Sequence, residues 1–144
     1  MRPSCRAFTL IETLLVLALC ALFVAGGLAA IGRLAPRFEL KSAAWLVTSA
    51  LGQARVQAVL TGEARRVLFA APGLRHERYD GAAGKWVLVR AQALPGVLVR
   101  ANNAPVFHPQ GTVSDLATIT ISNGQGGYRI TVAITGRIRT VRTG

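Results

Sequence analysis

From Phe8 to Ile31 the chain runs for twenty-four residues with a single charged side chain, Glu12. As a helix rising about 1.5 Å per residue, this run spans roughly 36 Å. That is enough to cross a hydrocarbon core of about 30 Å. A cleaved secretory signal has an apolar core of about 7–15 residues, so this run is too long for one, and Glu12 breaks the pattern as well. A plain anchor accounts for the length and leaves Glu12 unexplained. A carboxylate inside a membrane-length apolar segment is costly, and it marks a functional site by default.

Short basic segments flank the run. Arg2 and Arg6 precede it, and Arg33, Arg37 and Lys41 follow at four-residue spacing. That spacing puts the last three on one helix face, where they are expected to meet lipid headgroups. Gly26-Gly27 weakens the helix, and Pro36 removes a backbone donor and is expected to kink it. Beyond Pro36 the helical period resumes. Leu40, Ala43, Val47, Leu51, Ala54 and Ala58 recur at three- and four-residue steps, an amphipathic stripe. Thr61-Gly62 ends it, Gly being a natural helix stop. The spacing predicts one helix of about fifty residues.

After Gly62 the texture changes to short strands separated by turn signals. Strands are expected at 65–71, 74–79, 85–90, 97–100, 106–107, 116–122, 128–134 and 137–141. Their turns are Pro72-Gly73, Asp80 to Gly84, Leu94-Pro95-Gly96, His108 to Gly111, Asn123 to Gly127 and Thr135-Gly136. The fold class that follows is α+β: a long N-terminal helix, membrane-spanning in its first half, packed against an antiparallel, β-rich, sandwich-like C-terminal domain.

Seventeen Lys and Arg stand against six acids, a net charge of +11; without Arg2 and Arg6 the count is fifteen against six. Such a balance favours polyanionic partners, and it also serves solubility. The two cysteines, Cys5 and Cys20, lie before and within the apolar run, so the β-rich part is expected to fold without cross-links. No catalytic constellation appears. His76 and His108 stand alone and no metal-ligand spacing is present. Gly124 to Gly127 lacks the Lys-Ser/Thr pair of a phosphate loop. No metal and no cofactor are expected, and the chain reads as a structural subunit and not an enzyme.

Arg6-Ala7-Phe8-Thr9-Leu10-Ile11-Glu12 resembles the cleavage and methylation site of type IV prepilins and type II secretion pseudopilins. The resemblance implies that a prepilin peptidase cuts between Ala7 and Phe8 and methylates the Phe8 amine. Ala7 stands where the family usually has Gly. Glu12 becomes the fifth residue of the mature chain, where it can neutralise the buried amine of a neighbouring subunit and set an axial register. The implied divisions are a leader at 1–7, a transmembrane and assembly half-helix at 8–31, a soluble half-helix at 32–61 and a β-rich periplasmic domain at 62–144. The implied location is the inner membrane, crossed once. The implied partners are other major and minor pseudopilins or pilins, the prepilin peptidase, the inner-membrane assembly platform and inner-membrane lipid.

The layout also resembles one branch of that family, the H-type minor pseudopilins of type II secretion together with FimT. Gln53 to Ala58, Phe107 to Gly111 and Gly136-Arg137-Ile138-Arg139 carry that likeness. The leading expectation is a minor pseudopilin of a type II secretion pseudopilus, serving protein secretion. The alternative is a FimT-like type IV pilus minor pilin that binds DNA during natural transformation. From Gln125 onward the charged residues are Arg129, Arg137, Arg139 and Arg142, with no acid. In a strand Arg137 and Arg139 share a face, and paired guanidinium groups suit phosphate oxygens. The same charges would also protect a terminal edge strand from aggregation.

Overall fold

The structure, a computed structural model, describes residues 9–70 and 72–144. One helix, α1 (Leu10–Thr61), runs for 52 residues. Thr9 starts it: its carbonyl accepts from Glu12 N at 3.0 Å and Thr13 N at 3.2 Å, and its hydroxyl accepts from Glu12 N at 3.4 Å. Gly62 stops it, with φ +69° and its amide donating to Ala58 O at 3.1 Å. This left-handed residue beyond the last turn costs Gly little. Pro36 lies inside the helix.

The chain divides into two compact units, one up to Ala35 and one from Pro36 to Gly144. In the first, Leu10–Gly27 has a mean hydropathy of 2.3 and is long and apolar enough to cross a membrane. Its large side chains are open, Leu10 at 79% and Phe23 at 77%. Such exposure is stable only where lipid or another apolar surface replaces water.

Among its described residues the second unit holds the rest of α1 and nine antiparallel strands: β1 (Arg65–Ala70), β2 (Gly73–Asp80), β3 (Lys85–Ala93), β4 (Leu98–Ala101), β5 (Val106–Phe107), β6 (Val113–Ser114), β7 (Thr118–Asn123), β8 (Gly126–Val132) and β9 (Ile138–Thr143). They form two sheets, ordered β3-β2-β1-β5-β6 and β4-β7-β8-β9. The expected helical stripe is buried, with Val47, Leu51 and Ala58 fully enclosed. It packs with Val67 and Phe107 of the first sheet and Ile119, Ile121 and Ile130 of the second, giving one core. Alternation along β7 and β8 puts these Ile on the inner face and Thr and Arg on the outer one.

Polar contacts fix the second sheet to the helix. Asn123 Nδ2 donates to Pro36 O at 2.7 Å, and the Thr48 and Thr140 hydroxyls lie 3.1 Å apart. The β2–β3 hairpin extends past the core, leaving Leu88 and Val89 half exposed.

Several details differ from the sequence expectation, among them β8, expected at 128–134, which runs from Gly126 to Val132 because Gly126 and Gly127 pair with Asn123 and Ser122. The strand expected from Leu116 begins at Thr118. Asn102 Oδ1 accepts from Thr118 N at 2.7 Å and Asn103 Nδ2 donates to Leu116 O at 3.0 Å, so side chains take up bonds a ladder would have used. β6 lies outside the expected strands, because two residues between a turn and Asp115, at φ 54°, leave no period to read. The last strand begins at Ile138, since Arg137 O closes a turn by accepting from Ala133 N at 2.9 Å.

Candidate functional site

Ala7 and Phe8, the expected cleavage pair, lie outside the described residues. Glu12 is described. It occupies the first turn of α1, three residues after Thr9, and is exposed. Thr-x-x-Glu is the capping-box pattern, whose third position favours Glu or Gln. The positive end of the helix dipole favours an acid there too. Glu12 therefore has a local structural reason to be where it is. Its open carboxylate is also free of any ion pair found among the described residues.

The three short segments that carried the C-terminal resemblance come together in space. Gly136, at φ +74°, packs against Arg55 and Gly111: a Cβ there would sit 2.7 Å from both Arg55 Nε and Gly111 O. Arg55 Nη2 donates to Thr135 O at 3.2 Å, and Gly136 N donates to Ala133 O at 2.8 Å. The motif glycine is thus a fixed corner, held by the helix on one side and the β5–β6 turn on the other. His108 belongs to that turn. Its Nε2 lies 2.9 Å from Ser114 Oγ, and its amide donates to Thr112 O at 2.9 Å.

This corner determines where the arginines go. Arg137 is exposed in the turn and not in the strand, which corrects the expected pairing of Arg137 with Arg139 on one strand face. Arg139 lies opposite Thr131, and Arg129 opposite Val141, so alternation puts both arginines on the outer face of the second sheet as diagonal neighbours. Arg142 is displaced by an odd number of residues from Arg139, and so stands on the other face of β9. The structure adds one residue that sequence reasoning missed. Arg100 of β4 lies opposite Thr120, which lies opposite Arg129. A row Arg100–Thr120–Arg129–Val141 therefore crosses all four strands. Arg100, Arg129 and Arg139 are exposed, and no strand of this sheet contains an acid. Such a surface offers guanidinium forks and hydroxyls to oxyanions.

The ion-paired acids lie at the first sheet instead, Glu77 on β2 and Glu63 just before β1. Glu77 pairs with Arg66 at 2.6 Å, and Glu63 bridges Arg65 at 3.4 Å and Arg78 at 3.3 Å. Arg66 also lies 4.4 Å over the Trp86 ring. Asp80 Oδ1 accepts from Ala82 N and Ala83 N and so shapes the hairpin turn.

An apolar, membrane-length N-terminal helix that continues into an antiparallel β domain is the type IV pilin-like fold, the α+β architecture of minor pilins and pseudopilins. Residues 2–28 match the family described as the prokaryotic N-terminal methylation motif. In structure the chain is similar to the minor pseudopilin EpsH from the type 2 secretion system of Vibrio cholerae, at 17% identity and TM-score 0.63 over 72% of this chain and 97% of that one. It is similar also to the type IV minor pilin FimU of Pseudomonas aeruginosa strain PAO1, at 22% identity and TM-score 0.60 over 73% of this chain and 90% of that one. Comparison with curated protein sequences gives no match.

Proposed function

We propose that this protein is a minor pseudopilin, a structural subunit of a type II secretion pseudopilus. The observation that carries the reading is a methylation motif at residues 2–28 that takes in the first third of a helix running on into a pilin-like domain. In this reading residues 1–7 are a leader removed by prepilin peptidase. Residues 8–31 anchor the subunit in the inner membrane and pack in the fibre. Residues 32–61 carry the periplasmic domain, 62–144. The exposed Glu12 carboxylate meets the methylated Phe8 amine of a neighbour, so two unpaired charges in lipid are relieved together. The measurement is co-purification with the other pseudopilins. Glu12→Ala is expected to abolish it while the β domain keeps its thermal unfolding. Unchanged co-purification would remove the charge pairing from this account.

One observation favours a second reading, a type IV pilus minor pilin that binds DNA during uptake. It is the acid-free outer face bearing Arg100, Arg129 and Arg139, beside the exposed Arg137. Phosphate contacts release counterions, so affinity for duplex DNA falls steeply with salt. Arg129→Ala with Arg139→Ala is expected to lower that slope by about one unit per lost contact. Absence of binding at low salt would eliminate this reading.

A further inference from the structure

A cavity of about 160 Å³ opens between the last third of α1 and the first sheet. Gln53 and Gln57 line it from the helix, and Arg65, His76, Val89 and Arg90 from the strands. The strand register explains the grouping. Val67 is buried against the helix, so Arg65, two residues earlier, faces the same way. His76 lies opposite Val67, and Arg90 lies opposite His76.

The charges here are incompletely matched. The Arg65 side chain is only 13% exposed, and its buried Nε has no hydrogen-bond partner. Its Nη2 is taken by Glu63 Oε2 at 3.4 Å and Thr61 Oγ1 at 3.3 Å. Glu77, the acid in the cavity wall, is engaged by Arg66. Arg90 has no ion pair among the described residues. A buried donor left unmet is costly, and a cavity lined by three guanidinium groups and one acid, already paired with Arg66, has a positive potential. Burial, then Arg90, then Arg65 hold the His76 imidazole below its ordinary pKa, which reports the same field.

We propose that this cavity is an oxyanion site that receives the carboxylate side chain of an acidic segment on a partner protein. The two carboxylate oxygens meet the fork of the exposed Arg90 guanidinium, while the buried Arg65 charge behind it adds to the attracting field. The methylene stem lies on Ala54 and Val89, which form the apolar part of the wall. A free phosphate gains nothing from that wall, so a carboxylate on a stem fits better than a bare anion. Gln53, Gln57 and Arg90 are exposed at the opening, leaving room for an entering chain. The groups that share the cavity wall with His76 are Arg65 and Arg90, Glu77 paired with Arg66, and two uncharged Gln on α1; Glu63 bears on it through its bridge to Arg65. A bound carboxylate offsets the field of Arg65 and Arg90, so it favours imidazolium and binds more tightly as pH falls through the His range.

The test uses the full chain in zwitterionic micelles, read by proton NMR. The sequence has two histidines, so His108 is the internal reference. The probes are a capped glutamate peptide, its glutamine counterpart and inorganic phosphate. The glutamate peptide is expected to shift the His76 signal saturably and to raise its titration midpoint, with His108 unmoved and the glutamine peptide silent. Arg90→Gln, at an exposed position, is expected to weaken the response about tenfold, the scale of one charged hydrogen bond. Arg65→Gln is expected to do the same if it folds. Saturation by phosphate without response to the glutamate peptide would overturn the carboxylate assignment. Silence to all three probes, or full affinity in Arg90→Gln, would overturn the site.

Discussion

Two physical demands on Glu12, one local and one belonging to the proposed assembly, are separated by one substitution. At the N3 position of a capping-box pattern it suits the start of α1, and Gln can fill that position as well as Glu. As a carboxylate in an apolar segment it can pair with a buried amine, and Gln cannot. Glu12→Gln is therefore expected to lose co-purification with the other pseudopilins as fully as Glu12→Ala. Normal assembly of the Gln variant would reduce Glu12 to a helix cap. Gly136 is the other decisive residue. A side chain there must adopt φ +74° and also displace Arg55 or Gly111. The backbone cost alone is about 1–2 kcal/mol. Gly136→Ala is expected to lower the thermal unfolding midpoint by roughly 4–8 °C for each kcal/mol lost. No loss of stability would mean that the corner is not held as described. The sequence showed that the two segments around Arg55 and Gly136 matter, but not that they touch.

At the scale of elements, α1 was the most legible part of the chain. Its stripe repeats over about five turns, and each stripe residue from Leu40 to Ala58 is buried. Leu51, fully enclosed where both sheets meet the helix, is the strongest single contributor to test. Leu51→Ala is expected to cost about 2–5 kcal/mol, seen as a lower denaturant midpoint at unchanged slope. A loss below that range would place the centre of the core elsewhere. The strands were legible singly, because alternation and turn residues are local signals. Their pairing was not, because register is a long-range choice. That is why Arg100 gave no signal of its own: only the ladder β4-β7-β8 brings it into line with Arg129. It is also why Arg137 and Arg139 look like strand partners in the sequence: Thr135-Gly136 announces the turn, but not that it is closed by Ala133 and Arg137.

Across the whole molecule, charge and hydropathy divide the labour. The first unit carries an apolar surface that water does not tolerate, and the second a closed core whose ion pairs lie at the first sheet while the strands of the second sheet carry arginines and no acid. The motif at the N-terminus and the β domain were both readable from the sequence. The choice between a secretion pseudopilus and a DNA-binding pilus was not, because EpsH and FimU share this fold at comparable similarity. The proposed assembly depends most heavily on processing, since an uncut leader would keep the Phe8 amine from forming at all. Mass spectrometry of the protein extracted from membranes reads this directly. The predicted mature chain begins at Phe8 and carries a methyl group on its amine. A chain that retains Met1 to Ala7, or begins at any residue other than Phe8, would contradict the account.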